Sequence, residues 1–149
     1  MALCESVGAR LREQSCTCNT VTVGIRDSTL THYDRQVRFP RSTHNTLDLW
    51  EAAVGLYLTH YRGGIPVRSL SVKASGLAPA EEMEQLSLFP EEQKAQRRAA
   101  IDRAVDSIRA KYGFFAIRRA VTLLDPALDL DAKGEHIIHP IGFLGTLDK

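Results

Sequence analysis

No apolar run in this 149-residue chain reaches membrane-spanning length, so no membrane partner is expected. The opening residues mix Glu5, Arg10, Arg12 and Glu13 among the apolar positions, and no secretory leader is expected either. Cysteine is scarce. Cys4, Cys16 and Cys18 are odd in number and the last two stand too close for a framework of bridges, so reduced thiols and a cytoplasmic location are expected. Cys16-x-Cys18 also lacks the two-residue gap and the nearby histidine of a zinc site. Of the five histidines only His136 and His139 are neighbours, at best half a metal site and more simply a surface or packed pair. With no nucleophile–base pair, glycine-rich phosphate loop or metal set, a free-standing enzyme has little support, and no cofactor is expected in this chain.

What is present is one ordinary core's worth of apolar residues, 44% of the chain, with a net charge of only +1. That balance hides blocks. Residues 1–75 carry nine Lys/Arg against six Asp/Glu, and residues 76–93 carry five acids and no base. Residues 94–119 then carry eight bases against two acids, and residues 120–149 two bases against five acids. The blocks describe a domain, an acidic linker, a basic helix and an acidic tail.

Leu3, Val7 and Leu11, with Cys4 beside the first, form one stripe of a helix over residues 2–15. Thr20 to Arg26 then alternates strictly, a half-buried strand with Val21, Val23 and Ile25 on one face and Thr20, Thr22, Gly24 and Arg26 on the other. A turn at Asp27-Ser28-Thr29 leads into a returning strand from Leu30 to Phe39, an antiparallel hairpin ended by Pro40. On that strand Thr31, Tyr33, Arg35, Val37 and Phe39 share a side, mixing core candidates with a charge, which suggests a bulge or an exposed edge. Ser42 to Thr46 caps a helix through Leu49, Trp50, Ala53, Val54, Tyr57, Leu58 and Tyr61, which Gly63-Gly64 stops. Ile65 to Ser75 is a third strand with Leu70, Val72 and Ala74 inward and Ser69, Ser71, Lys73 and Ser75 outward.

This order is an α+β fold, an antiparallel sheet with two helices on one face. The other face gathers Thr20, Thr22, Arg26, Ser69, Ser71 and Lys73, small hydroxyls and cations suited to phosphate oxygens, with Gly24 allowing close approach of a backbone. An ordinary solvated face would also be polar, and on composition the two readings stand level.

Beyond Pro90 a helix is expected with Ile101, Val105, Ile108 and Tyr112 as its apolar seam, closed by Gly113, and a second short one over Ala116 to Leu124. Arg97, Arg98, Arg103, Arg109, Lys111, Arg118 and Arg119 would occupy the polar face, through solvation or through nucleic-acid contact.

Between Gly76, Pro79 and Pro90 lies a short island, Gln85, Leu86, Ser87, Leu88 and Phe89. It resembles the pentapeptide by which bacterial replication and repair proteins bind the sliding clamp. Leu86, Leu88 and Phe89 would fill a groove and the Gln85 amide would hydrogen-bond at its mouth. A linker whose Leu and Phe pack on their own domain is the bland alternative.

Taken with Cys4 to Leu11, Thr20 to Val23, Val67 to Val72, Lys111-Tyr112-Gly113 and Ala116 to Ala120, the pentapeptide makes nearly the whole chain similar to the C-terminus of bacterial Y-family DNA polymerases of the UmuC-like and DinB-like kind. The resemblance implies a little finger domain over 1–76, an acidic linker with the clamp-binding pentapeptide over 77–93, a basic helical segment over 94–124 and a tail over 125–149. It implies that the sheet face grips duplex template-primer DNA by its backbone, through Thr20, Thr22, Arg26, Arg35, Ser69, Ser71 and Lys73. The family's catalytic carboxylates and magnesium ions belong to a palm domain that this chain does not contain, so no polymerase activity is expected of it alone. An adaptor role in the DNA damage response, using the same clamp-binding module, is the alternative. The family's βαββαβ order begins with a strand that this sequence lacks, which leads to an expected gap in the sheet, filled by self-association or by the tail near residues 136–144.

Overall fold

The computed structural model describes residues 1–61, 63–80 and 90–121, and the alternating segment becomes its central strand. The elements follow as α1 (Ala2–Glu13), β1 (Cys16–Asp27), β2 (His32–Thr43), α2 (Thr46–His60), β3 (Val67–Pro79) and α3 (Pro90–Tyr112), with a 3-10 turn at Phe114–Ala116. The sheet is antiparallel throughout, in the order β2-β1-β3. The fold is therefore α+β, as the patterning requires. No helix among the described residues is long and apolar enough to cross a membrane.

Val21, Val23 and Ile25 bury themselves against Cys4 and Leu11 of α1 and Leu49 and Ala53 of α2. Both helices thus lie on one sheet face. Leu3, expected on the apolar stripe of α1, is instead 39% exposed, and Cys4 takes the buried position. The β1–β2 turn is held by Asp27, whose Oδ1 accepts from the Thr29 amide at 2.9 Å, the Thr29 hydroxyl at 2.6 Å and the Thr31 amide at 3.0 Å. An aspartate bonded to its own following backbone fixes the turn and, through it, the register.

Two strands run past their expected ends. Pro40 does not stop β2, because an edge strand can lose a ladder donor without leaving a partner unpaired. The strand bulges there instead, Arg38 pairing with Thr20 and Thr43 with Cys18. The third strand begins two residues later than expected and continues to Pro79. It passes through Gly76 at φ 63, where an added Cβ would strike the Asn19 side chain.

The expected buried seam of α3 is a larger departure. Ile101 is 48% and Tyr112 66% exposed, while Asp102, one position on, is 3% exposed. α3 has turned a charged stripe inward. The second short helix expected over Ala116 to Leu124 does not start where expected, since Ile117 is extended at φ −140, ψ 127 after the 3-10 turn, and 3-10 geometry returns only at Ala120 and Val121, the last described residues. The tail positions expected to fill the sheet, 136–144, lie outside the described residues.

Candidate functional site

The register of the sheet assembles the face turned away from α1 and α2. Four rungs cross it: Arg38, Thr20 and Ser75; Gln36, Thr22 and Lys73; Asp34, Gly24 and Ser71; His32, Arg26 and Ser69. Residues directly opposed in an antiparallel ladder share a face, so all twelve are on the side opposite the apolar core. Arg26, Arg38 and Lys73 are exposed, and their side chains make no ion pair or hydrogen bond among the described residues. Asp34 is the carboxylate of the face, engaged by His32 Nε2 at 2.8 Å.

Gly24 sits at the middle of this surface. A Cβ there would meet the Ser71 hydroxyl, Asp34 Oδ1 at 2.8 Å and His32 Cε1 at 3.1 Å. Those three side chains close over the bare backbone, so Gly24 is needed to let them pack.

Six of the seven expected sheet residues, Thr20, Thr22, Arg26, Ser69, Ser71 and Lys73, are brought together. Arg35 stands apart from them. It opposes Val23 and therefore lies on the helix side of the edge strand, with its guanidinium 5.4 Å from the Tyr33 ring centroid. Arg38 and Gln36 take the places that Arg35 was expected to share. The signal for them was in the turn: once Asp27 closes it so that Arg26 faces His32, the even-numbered residues of β2 fall on the even-numbered face of β1. The pentapeptide Gln85, Leu86, Ser87, Leu88 and Phe89 lies outside the described residues.

Sequence reasoning missed a second cluster, between α1, α2 and α3. Arg12 Nε and Nη2 donate to the two oxygens of Asp106 at 2.6 and 3.0 Å, and Nη1 reaches the His44 carbonyl at 2.9 Å and Asp102 at 3.2 Å. Asp102 also accepts the Thr46 amide at 2.7 Å and Arg119 at 3.0 Å. It thereby caps α2 from another helix, because the N-cap residue Asn45 makes no side-chain cap bond. Glu5, 5% exposed, accepts from Arg119 at 2.7 Å and Arg109 at 3.3 Å. Arg98 completes the interface by bridging Asp48 and Glu51 of α2.

Three carboxylates and three guanidiniums neutralise one another around Asp102, and each acid is occupied. Beside them, between α1 and α3, opens a cleft of about 850 Å³ lined by Ser6, Ala9, Arg103, Ser107, Ala110 and Phe114 among others. His44 borders it, and burial, reinforced by the Arg12 guanidinium, pushes its imidazole below the usual value. Burial pushes the free thiols of Cys4 and Cys18 upward, which keeps them protonated and poorly nucleophilic. No group of three or more His, Cys, Asp or Glu among the described residues is placed to hold a metal.

The arrangement is that of an α+β domain with a polar, cationic sheet face opposite its helices. Comparison with known proteins places it further. The chain belongs to the impB/mucB/samB family C-terminal domain, whose model matches residues 1–88. It is 32% identical over 127 residues to DNA polymerase IV of Acetivibrio thermocellus, covering 85% of this chain and 32% of that protein. DNA polymerase IV of Clostridium acetobutylicum is 34% identical over 123 residues, 83% of this chain and 30% of the relative. DNA polymerase IV 2 of Bacillus subtilis is 33% identical over 126 residues, 83% of this chain and 29% of the relative. The chain thus spans about a third of the length of these relatives. The polymerase chemistry in their names belongs to proteins about three times as long.

Proposed function

We propose that this chain is the non-catalytic C-terminal part of a translesion DNA polymerase, gripping template-primer duplex through the outer face of its sheet. The observation that carries the reading is the four-rung face, where Arg26, Arg38 and Lys73 stand unpaired among the described residues, beside small hydroxyls, in a chain similar to DNA polymerase IV. Cations and hydroxyls on a rigid sheet contact phosphate oxygens without reading bases, so affinity falls steeply with salt and sequence preference is weak. Nucleotidyl transfer, with its magnesium ions, is carried out by a part of the parent protein outside this chain.

Duplex binding measured across a salt series tests the grip. Replacing Arg26 and Lys73 together by glutamine removes two phosphate contacts and reduces the slope of log K against log salt by about 2. Arg35→Ala, on the helix side of the edge, is the comparator and costs less. An unchanged slope for the double variant overturns the sheet-face reading.

Docking on the sliding clamp is the second part of the proposal, supported by the sequence Gln85 to Phe89. A clamp titration in which wild type binds and Gln85→Ala/Leu88→Ala does not supports it, and equal binding by the two refutes it.

A further inference from the structure

Helix α3 sorts its cations into two sets. Arg98 and Arg109 turn to the body of the domain and are spent on Asp48, Glu51 and Glu5. Lys94, Arg97, Arg103 and Lys111 are exposed and meet no carboxylate among the described residues. At about 100° per residue Arg97 and Lys111 fall on the arc opposite the buried Asp102, with Lys94 and Arg103 at its two edges. From Gln93 to Tyr112 the helix has two acids, Asp102 and Asp106, and both are engaged by Arg12. The outward arc therefore carries positive charge alone.

Two aromatic rings stand open where that arc ends. Tyr112 is 66% and Phe115 50% exposed, with Lys111 Nζ 5.0 Å from the first ring centroid and the Arg118 guanidinium 6.0 Å from the second. A row of cations leading to exposed rings is the chemistry of a single-strand track, in which phosphates follow the cations and unpaired bases stack on the rings. A duplex hides its base faces and would leave the rings unused. A second copy of this face would set cation against cation. From Lys94 to Lys111 the helix spans about 25 Å, room for several nucleotides.

We propose that the outward face of α3, together with Tyr112 and Phe115, binds single-stranded nucleic acid. This site is separate from the sheet face, since α3 docks on α1 and α2, which cover the opposite side of the sheet. It stands on its own charges and rings, whatever the sheet face binds.

The test is fluorescence anisotropy of a labelled oligothymidylate and a labelled duplex with the full chain, at low and moderate salt. Arg97→Glu/Lys111→Glu is expected to weaken single-strand binding more than tenfold and to flatten its salt dependence. Tyr112→Ala/Phe115→Ala is expected to weaken it about tenfold with the salt slope kept, because stacking releases no counterions. Both pairs are surface changes, and circular dichroism checks that the fold is intact. Arg26→Gln/Lys73→Gln should leave single-strand affinity within about twofold. The proposal is overturned if the chain does not bind the oligothymidylate at low salt, or if both α3 variants bind it as wild type does. It is also overturned if only the sheet-face variant loses it, in which case the sheet face binds both forms. A loss of duplex affinity confined to Arg26→Gln/Lys73→Gln leaves the present proposal intact and bears on the sheet alone.

Discussion

In the central strand the deeply buried apolar side chains are Cys18, Val21, Val23 and Ile25, packed in one core with Leu11 and Leu49; in α3 the deeply buried side chain among the described residues is Asp102. The sheet and its two helices are held by apolar burial, which is non-directional and tolerant of small shifts. α3 is held by ions taken out of water, which repay their desolvation only while every partner is in place. The same domain therefore contains one interface that degrades gradually and another that depends on single atoms. The second exposes what the first would have hidden, because the inward turn of Asp102, Asp106 and Arg109 leaves Ile101 and Tyr112 at the surface.

The sharpest way to break this contrast is Arg12→Met, which takes the guanidinium from Asp102 and Asp106 at once. Breaking a buried pair from one side costs about 3–5 kcal/mol, and amide exchange should accelerate through α3 while β1 stays protected. Equal acceleration in both would show that the ionic layer is inseparable from the core. Leu49→Ala acts on the other side of the comparison and should cost about 2–5 kcal/mol, lowering the protection of β1 together with that of the helices. A loss confined to α2 would contradict a shared apolar core.

The smallest effect is in pH. The His44 imidazole, held below its ordinary value of 6.5 by burial and then by Arg12, has a buried Nδ1 with no partner among the described residues. The unfolded chain takes up its proton near 6.5 while the folded chain resists, so this contribution is complete above 6.5 and is lost as pH falls through the lower, folded value. Urea midpoints taken from about pH 7.5 down to about pH 5 should fall less for His44→Gln than for wild type. Parallel curves would remove His44 from the account.

The sheet was legible because each strand of the hairpin must alternate when one face is buried, and Val21, Val23 and Ile25 state that rule plainly. The mixed side of β2 suggested a bulge or an exposed edge, and the strand has both; its continuation past Pro40 was not legible, because nothing local says that an edge strand will resume after losing a donor. Six residues of the candidate face followed from alternation, whereas Arg35 and Arg38 depended on a register that only the closed Asp27 turn settles. α3 was misread for a different reason. Its apolar seam is as regular as that of a buried helix, and the partners that turn it the other way, Glu5, Arg12 and Thr46, are some fifty to over a hundred residues distant in the chain.

The sequence by itself determined the alternating strands, the two core helices, the cationic character of the segment after Pro90 and the likeness to a polymerase C-terminus. These follow from local periodicity and composition, which short-range sterics and apolar burial enforce wherever the segment lies. Only the tertiary structure decided which cations are spent and which, among the described residues, meet no carboxylate. Arg98, Arg109 and Arg119 read no differently from Arg97, Arg103 and Lys111 along the chain. A charge becomes structural only when a carboxylate from a distant element meets it out of water, and that meeting is a property of the packed whole.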